Sequence, residues 1–370
     1  MHALHIFTLA IAVFLIVDAL PYEQSKVYTI PLKKKTITRR RALRRDVGNV
    51  EVSQQPPDIA YFGEVTFGDT QTFDIQFDTG SADFFVTSID CNSPACEVKN
   101  KYDPNEDASF VDIDKTFSVD YDRGSASGQT SGTTSIKIGD FTVEAQEFGL
   151  ADTLSDDFTR DEYDGIMGMA LSSASENGQL TPITNLINNN NLDQPQFAFK
   201  LGRDADGTES ELTIGGINQA RLNGQLTWSN LADNNRGHWL IPLDDCFVDG
   251  QALNFQGRNA NIDTGTTLMI VPIADARQIY AQITEAEEQD NGRFSLPCEN
   301  ENIIGLRING VTWNMDFRDF VTEDGDECFG AIEGDDTGSD TEWVVGAAFL
   351  KNVYSVFDQG NLQVGFGQLA

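Results

Sequence analysis

Short alternations of apolar and polar residues, broken every few positions by Gly, Asn or Asp, run along most of the chain beyond Asp46. Tyr61 to Phe67 alternates and meets Gly68-Asp69, and Gln71 to Phe77 follows. Thr134 to Ile138 meets Gly139-Asp140, and Phe141 to Val143 returns. A period of two bounded by turn residues marks strands joined as hairpins. Helical stretches are few. Leu180 to Asn189 is one, with Thr181-Pro182 at its start. Ala274 to Ala286 is another, of stronger helical character. The pattern predicts an all-β protein.

A longer period lies over this texture. Phe73-Asp-Ile-Gln-Phe77 leads into Asp78-Thr79-Gly80-Ser81, and Asp263-Thr264-Gly265-Thr266 leads into Leu268-Met-Ile-Val271, 185 positions later. An apolar segment with Gly follows each Asp: Gly165-Ile-Met-Gly168 ends 90 positions on, and Val344-Val345-Gly346 ends 83 positions on. Each half thus repeats strand, Asp turn, long β excursion, apolar pair and Gly. Two copies of one plan predict two lobes about a pseudo-two-fold axis, with the Asp turns meeting on it. The join is expected near Gly215 to Gln225, where Gly-Gly and Asn-Gly interrupt the pattern.

A carboxylate in an apolar strand is costly unless it is hydrogen-bonded or has chemistry to do. Two of them side by side cannot both ionise cheaply, so their titrations couple and one proton is shared. The ionised member can take a proton from water while the other gives one to a carbonyl oxygen. A lone Asp-Thr-Gly is a common turn signal. Two in matched settings, each followed by the same glycine element, are far more specific.

Composition narrows the alternatives. The chain has 370 residues, 40% of them hydrophobic, enough for a large core or two medium ones. The apolar run Ile6 to Val17 is too short to span a bilayer, and Val17-Asp18-Ala19 places small residues at a cleavage site. A secretory signal peptide over 1–19 is expected, and the C-terminus shows no apolar tail for a lipid anchor. Residues 20–45 carry nine Lys or Arg against Glu23 alone, and from Asp46 onward 16 basic residues face 56 acidic ones, a net of −40. Such a body repels phosphate, so nucleic acid is not an expected partner. The basic stretch instead reads as a propeptide covering an acidic body, with Arg44-Arg45 as a dibasic cut before Asp46.

Cys91 and Cys96 are near enough in sequence to close a small ring, and Cys298 and Cys328 bracket a longer segment. Cys246 is left over, and reads as a buried thiol in a strand. No Cys-x-x-Cys, His-Glu-x-x-His or Gly-x-Ser-x-Gly is present, and beyond the leader the one histidine is His238. Hydrolysis by metal or by a Ser-His system is therefore poorly served, and no cofactor or metal is expected. The acidic stretch Glu333 to Asp340 lacks EF-hand spacing and reads as a solvated loop.

On these residues the chain resembles a zymogen of the pepsin family of aspartic proteases, with a texture similar to secreted fungal members. Phe77 to Asp83 resembles the first active-site motif and Ile262 to Leu268 the second. Asp164 to Ala170 and Trp343 to Leu350 resemble the glycine-containing strands that support the two Asp loops. Tyr354 to Asp358 resembles the family's closing strand, and Val27 to Leu32 the start of its propeptide. The resemblance implies a bilobal pepsin-like fold: signal peptide 1–19, basic propeptide 20–45, N-terminal lobe 46–220 and C-terminal lobe 221–370. It implies disulfides Cys91–Cys96 and Cys298–Cys328. It makes Asp78 and Asp263 catalytic, with Ser81 and Thr266 bonding the outer carboxylate oxygens, and Thr79 and Thr264 tying the loops together. Gly80, Gly265, Thr266 and Thr267 would meet an extended substrate laid across the cleft as an added strand.

Val119 to Gly128 resembles the family's flap, with Tyr121 as its tyrosine and Gly124 and Gly128 keeping the tip mobile. The family usually has Gly after that Tyr, where this chain has Asp122 and then Arg123. Phe85 stands where a Trp commonly bonds the flap Tyr, so that tether is expected to be missing. Gln76 and Asp122 are expected to make the first pocket more tolerant of polar or basic side chains than is usual in the family. The implied activity is that of a secreted, monomeric endopeptidase working in acid, extracellular or in a vacuole-like compartment, on protein and peptide substrates. Its own propeptide is a further partner, and no membrane is. Two rivals are a catalytically inactive pepsin-like binding protein and an acidic calcium-binding protein with coincidental triplets. The first usually loses an Asp or its Gly, and both triplets are whole here.

Overall fold

The computed structural model describes residues 28–34, 58, 60–232, 236–335 and 337–370. The expected signal peptide and the Arg44-Arg45 pair lie outside these residues.

The predicted hairpins form. Tyr61–Phe67 pairs antiparallel with Gln71–Asp78, and Gly68 makes the turn with φ of 57°. Thr130–Ile138 pairs with Phe141–Ala151 around Gly139, also at φ 57°. A positive φ is cheap for glycine and strained for most other residues. The alternation puts Tyr61, Val65, Phe67, Phe73, Ile75 and Phe77 inside, all buried. Phe67 centres an aromatic cluster, with Phe73, Phe84 and Tyr102 at 5.5 Å and Phe148 at 5.0 Å. Burying each such ring contributes about 1.5–3 kcal/mol.

The long-range repeat becomes a repeated three-strand unit. In the first lobe, Gly165–Gly168 lies between two strands. It runs parallel to Gln71–Asp78, with Gly168 opposite Asp78, and antiparallel to Phe84–Thr87. In the second lobe, Glu342–Val345 runs parallel to Arg258–Ile262, with Val345 opposite Ile262, and antiparallel to Met269–Pro272. In each lobe the chain enters the Asp turn on one strand, leaves on another, and is later wedged apart by a third.

A 13-stranded sheet runs through the first lobe and on into a platform shared by both halves. Gln196–Lys200, from before the expected join, pairs with Tyr354–Asp358 near the C-terminus. Tyr28–Lys34 is the link in this sheet, pairing with Ser210–Ile214 on one side and with Tyr61 and Phe62 on the other. Met269–Pro272 and Arg258–Ile262 belong to a separate five-stranded sheet of the second lobe.

The first expected helix forms over Pro182–Asn188, where Thr181 accepts from the Thr184 N–H as N-cap. The second is shorter than its pattern: it covers Ile273–Tyr280. Tyr280 stacks on Phe294 at 4.1 Å and its hydroxyl donates to the Ile332 carbonyl, so tertiary packing stops the helix there. Cys91–Cys96 and Cys298–Cys328 are disulfide-bonded, and Cys246 is free and buried in the strand Asp245–Val248. Among the described residues no helix is long and apolar enough to cross a membrane.

Candidate active site

The two Asp turns meet between the lobes. Asp78 ends the strand Gln71–Asp78, and Asp263 follows Arg258–Ile262 by one residue. Both are buried, at 6% and 8% exposure, and lie within hydrogen-bonding reach of each other. Their settings match atom for atom. One oxygen of Asp78 accepts from the Gly80 N–H at 2.7 Å and the other from the Ser81 hydroxyl at 2.5 Å. Asp263 accepts from the Gly265 N–H at 2.7 Å and the Thr266 hydroxyl at 2.6 Å.

The threonines lock the turns across the axis. Thr79 Oγ1 donates to the Ile262 carbonyl and Thr264 Oγ1 to the Phe77 carbonyl, each at 2.7 Å. Each hydroxyl also accepts the other threonine's N–H, at 3.1 Å and 2.9 Å. All four bonds are buried, where an unmet polar group would cost about 1–3 kcal/mol.

The glycines are explained by the opposite loop. A Cβ on Gly80 would lie 2.5 Å from the Asp263 carboxyl carbon, and one on Gly265 would lie 2.2 Å from Asp78 Oδ1. Glycine is thus required where each turn presses on the other's acid. The wedging strands use the same device. A Cβ on Gly168 would sit 2.5 Å from Ala82 backbone, and one on Gly346 2.3 Å from the Thr266 carbonyl.

Burial raises the Asp78 carboxyl well above its ordinary range, and the charge of Asp263 raises it further against the bonds from Ser81 and Gly80. The pair therefore holds a proton more tightly than two separate surface acids would.

The expected flap is the hairpin of Phe117–Asp120 and Ser125–Gly128, closed by the Tyr121 N–H donating to the Gly124 carbonyl at 2.9 Å. Tyr121 packs on Phe85 and Phe158, with ring centroids 6.4 Å and 6.1 Å away. Its hydroxyl is buried, lies toward Ser81, and makes no hydrogen bond of normal geometry. Phe85 supplies contact and no donor, as the sequence led us to expect. The reading of Gly128 needs correction: a Cβ there would lie 1.9 Å from the Leu150 carbonyl oxygen, so this glycine serves close packing rather than mobility. Gly124, at φ of 97°, is the one that shapes the tip.

The cleft under this hairpin has a volume of about 410 Å³ and is lined by both aspartates, Tyr121, Asp122 and the threonines Thr266 and Thr267. Asp122 is exposed, yet partial burial in the cleft and the nearby Asp263 and Asp335 raise its carboxyl above the usual range. Gln76 is not an idle pocket wall: its amide donates to the Gly265 carbonyl at 3.2 Å, from one lobe to the other.

A family profile described as eukaryotic aspartyl protease matches residues 60–369. The chain belongs to that family. Among its relatives, gastricsin of Cavia porcellus is 31% identical, over 85% of this chain and 81% of its own length. Cathepsin E of Aquarana catesbeiana is 32% identical, over 84% and 79%. Major aspartyl peptidase 1 of Cryptococcus neoformans var. grubii is 30% identical, over 90% and 74%. The protein is an aspartic-type endopeptidase acting on proteins, as this family does.

This aspartyl protease has residues in the cleft and packed behind it that the sequence did not single out. The sequence offers His238 only as the one histidine that a Ser-His or Cys-His system would have to use, yet its Nδ1 lies 3.1 Å from the Gly80 carbonyl. Burial and then the nearby Arg236 lower its imidazole below the ordinary range. Trp239 Nε1 donates to the Met169 carbonyl at 3.0 Å, behind the first Asp loop. Glu333, read as part of a solvated acidic loop, is 8% exposed and lines the cleft. No sequence signal pointed to these three, because each faces residues of the other lobe.

Proposed function

We propose that Asp78 and Asp263 are the catalytic dyad of this endopeptidase. The observation that carries the reading is the reciprocal fit: each turn's glycine faces the other turn's carboxyl. The ionised member draws a proton from a water held between the two acids. The oxygen of that water attacks the scissile carbonyl carbon, and the protonated member gives its proton to the carbonyl oxygen. Collapse of the tetrahedral species then breaks the C–N bond, and the nitrogen leaves with a proton returned by the dyad. Ser81 and Thr266 hold the outer oxygens so that the inner ones face the water.

An extended substrate lies between these loops and the flap. The Gly80 and Gly265 backbones are its partners on one side and Tyr121 covers it on the other, with Asp122, Thr266 and Thr267 along the channel. Asp122 favours a basic side chain beside the cut. Gln76 no longer contributes to that preference, since its amide is engaged by Gly265. Peptides differing only in Lys, Leu or Phe before the cut, compared between wild type and Asp122→Asn, test this; an unchanged ratio for Lys would remove Asp122 from the account.

The protein is made as a secreted, monomeric zymogen active in acid. The strand Tyr28–Lys34, which lies in the basic stretch and is built into the sheet shared by the lobes, supports the propeptide reading. Acid activity is supported by the raised Asp78 carboxyl, which keeps its shared proton most fully when pH is low. The experiment is hydrolysis of denatured haemoglobin across pH by wild type, Asp78→Asn and Asp263→Asn, with and without pepstatin. Loss of activity in both variants and with pepstatin is expected. Either variant keeping wild-type turnover would end the dyad assignment, and a neutral optimum would end the acid one.

A further inference from the structure

The tip of the flap is joined to the opposite lobe. Arg123 Nη2 lies 2.7 Å from Glu333 Oε2, a contact between residues 210 positions apart. Glu333 sits on the strand Ile332–Asp335, which runs parallel to Met269–Pro272, the strand leaving the second Asp turn. Both side chains line the cleft that contains Asp78 and Asp263.

The two partners are unequal. The Glu333 side chain is 10% exposed, is carried by a strand, and has a second cation in Arg293, whose Nε lies 3.8 Å from the other oxygen. It is a fixed anchor. The Arg123 side chain is 73% exposed and stands on the turn shaped by Gly124. The rest of the hairpin is held within its own lobe: Ser118 pairs with Asn177, and the Ser125 N–H donates to the Ser155 hydroxyl. Arg123 thus ties the tip across the cleft, while the hairpin's base stays with the first lobe.

We propose that the Arg123–Glu333 ion pair is a latch that holds the flap down across the cleft, and that Arg123 is a positioning residue for Tyr121 and Asp122. The proposal rests on reading residues 117–128 as the flap of this protease. A substrate strand can reach the aspartates only by passing under the hairpin, so the pair opens to admit it and re-forms over it. An ion pair with one exposed member is screened by salt, so the latch loosens as ionic strength rises. Asp122 stands near the guanidinium and offers it a weaker alternative partner, which helps the tip return after opening.

The test is hydrogen exchange of the full chain, read over residues 117–128, in wild type, R123Q, R123K and E333Q, each at low salt and at about 1 M salt. At low salt R123Q and E333Q are expected to exchange about two- to five-fold faster in this segment, the range set by a pair of modest strength. R123K should stay near wild type, and high salt should bring wild type up to the variants. Unchanged exchange in R123Q overturns the latch, as does a change in E333Q alone, which would mean that Glu333 acts through Arg293. Haemoglobin hydrolysis by the same proteins and by Asp78→Asn separates the two readings. Inactive Asp78→Asn with active R123Q upholds the protease whatever the flap does, and unaltered flap exchange removes the latch whatever the activity.

Discussion

A single methyl group is enough to disturb this site. Alanine at position 80 would push its Cβ to within 2.5 Å of the Asp263 carboxyl, and alanine at 265 would reach 2.2 Å from Asp78. One acid must then move, and a shift of about 1 Å at reacting groups costs about 100-fold in rate. Gly80→Ala and Gly265→Ala are each expected to lose at least that much kcat/KM while melting cooperatively; wild-type turnover in either would show that the turns have slack. Tyr121 gives the opposite kind of prediction. Its hydroxyl is buried without a hydrogen bond, so Tyr121→Phe removes an unmet polar group. Thermal melting is expected to show Tyr121→Phe equal to wild type or more stable by up to about 1 kcal/mol. A clear loss of stability would reveal a partner for that oxygen.

At the scale of elements, polar side chains decide how helices and strands seat. The helix Ile273–Tyr280 is fixed to the second lobe by Asp275, which accepts two bonds from Arg258, at 2.7 Å and 2.8 Å, and one from Trp343 Nε1 at 2.8 Å. Asp275 and Trp343 are buried, and Trp343 lies on the wedging strand behind the second Asp turn. Asp275→Asn leaves Arg258 without its countercharge, and such breaks cost about 3 kcal/mol. Denaturant unfolding should show a lower midpoint with an unchanged slope. The strand Tyr28–Lys34 carries a second prediction. It alone lies between Ser210–Ile214 and Tyr61–Phe67 in the sheet. Cutting the chain after Arg45 and removing the segment bares both neighbours. Amides of residues 210–214 are then expected to exchange faster unless another segment takes the vacated place, and equal protection with no such replacement would argue against the pairing.

For the whole molecule, acidity and stability are linked through the dyad. Asp78 holds its proton more tightly in the folded chain than when unfolded, where an ordinary Asp titrates near pH 3.9. Its contribution is therefore full below about pH 3.9 and is lost as pH rises through the raised folded value. The net charge of −40 beyond Asp46 adds self-repulsion in the same direction. Melting temperature should fall from mildly acidic to neutral pH, and less steeply in Asp78→Asn, which has no charge to force onto the pair. Parallel curves for the two proteins would show that the dyad does not govern the trend.

Much of this was legible in the sequence because it depends on local order. The period-two runs and their Gly-containing turns are set by neighbouring residues, so the hairpin Tyr61–Asp78 and the core of the second, Thr134 to Val143, could be read directly, while its longer extent to Thr130 and Ala151 could not. The paired Asp-Thr-Gly triplets carry their own hydrogen bonds, to positions two and three residues on, and so announce themselves. Contacts between distant segments could not be read this way. Gln76 meets Gly265, His238 meets Gly80, and Arg123 meets Glu333 across separations of 189, 158 and 210 residues. The sequence by itself determined two carboxylates and the turns that present them, because those bonds close within a few residues. The tertiary structure alone decided which side chains line the cleft and where a helix stops, because packing of one lobe against the other selects those partners and no short-range rule encodes them.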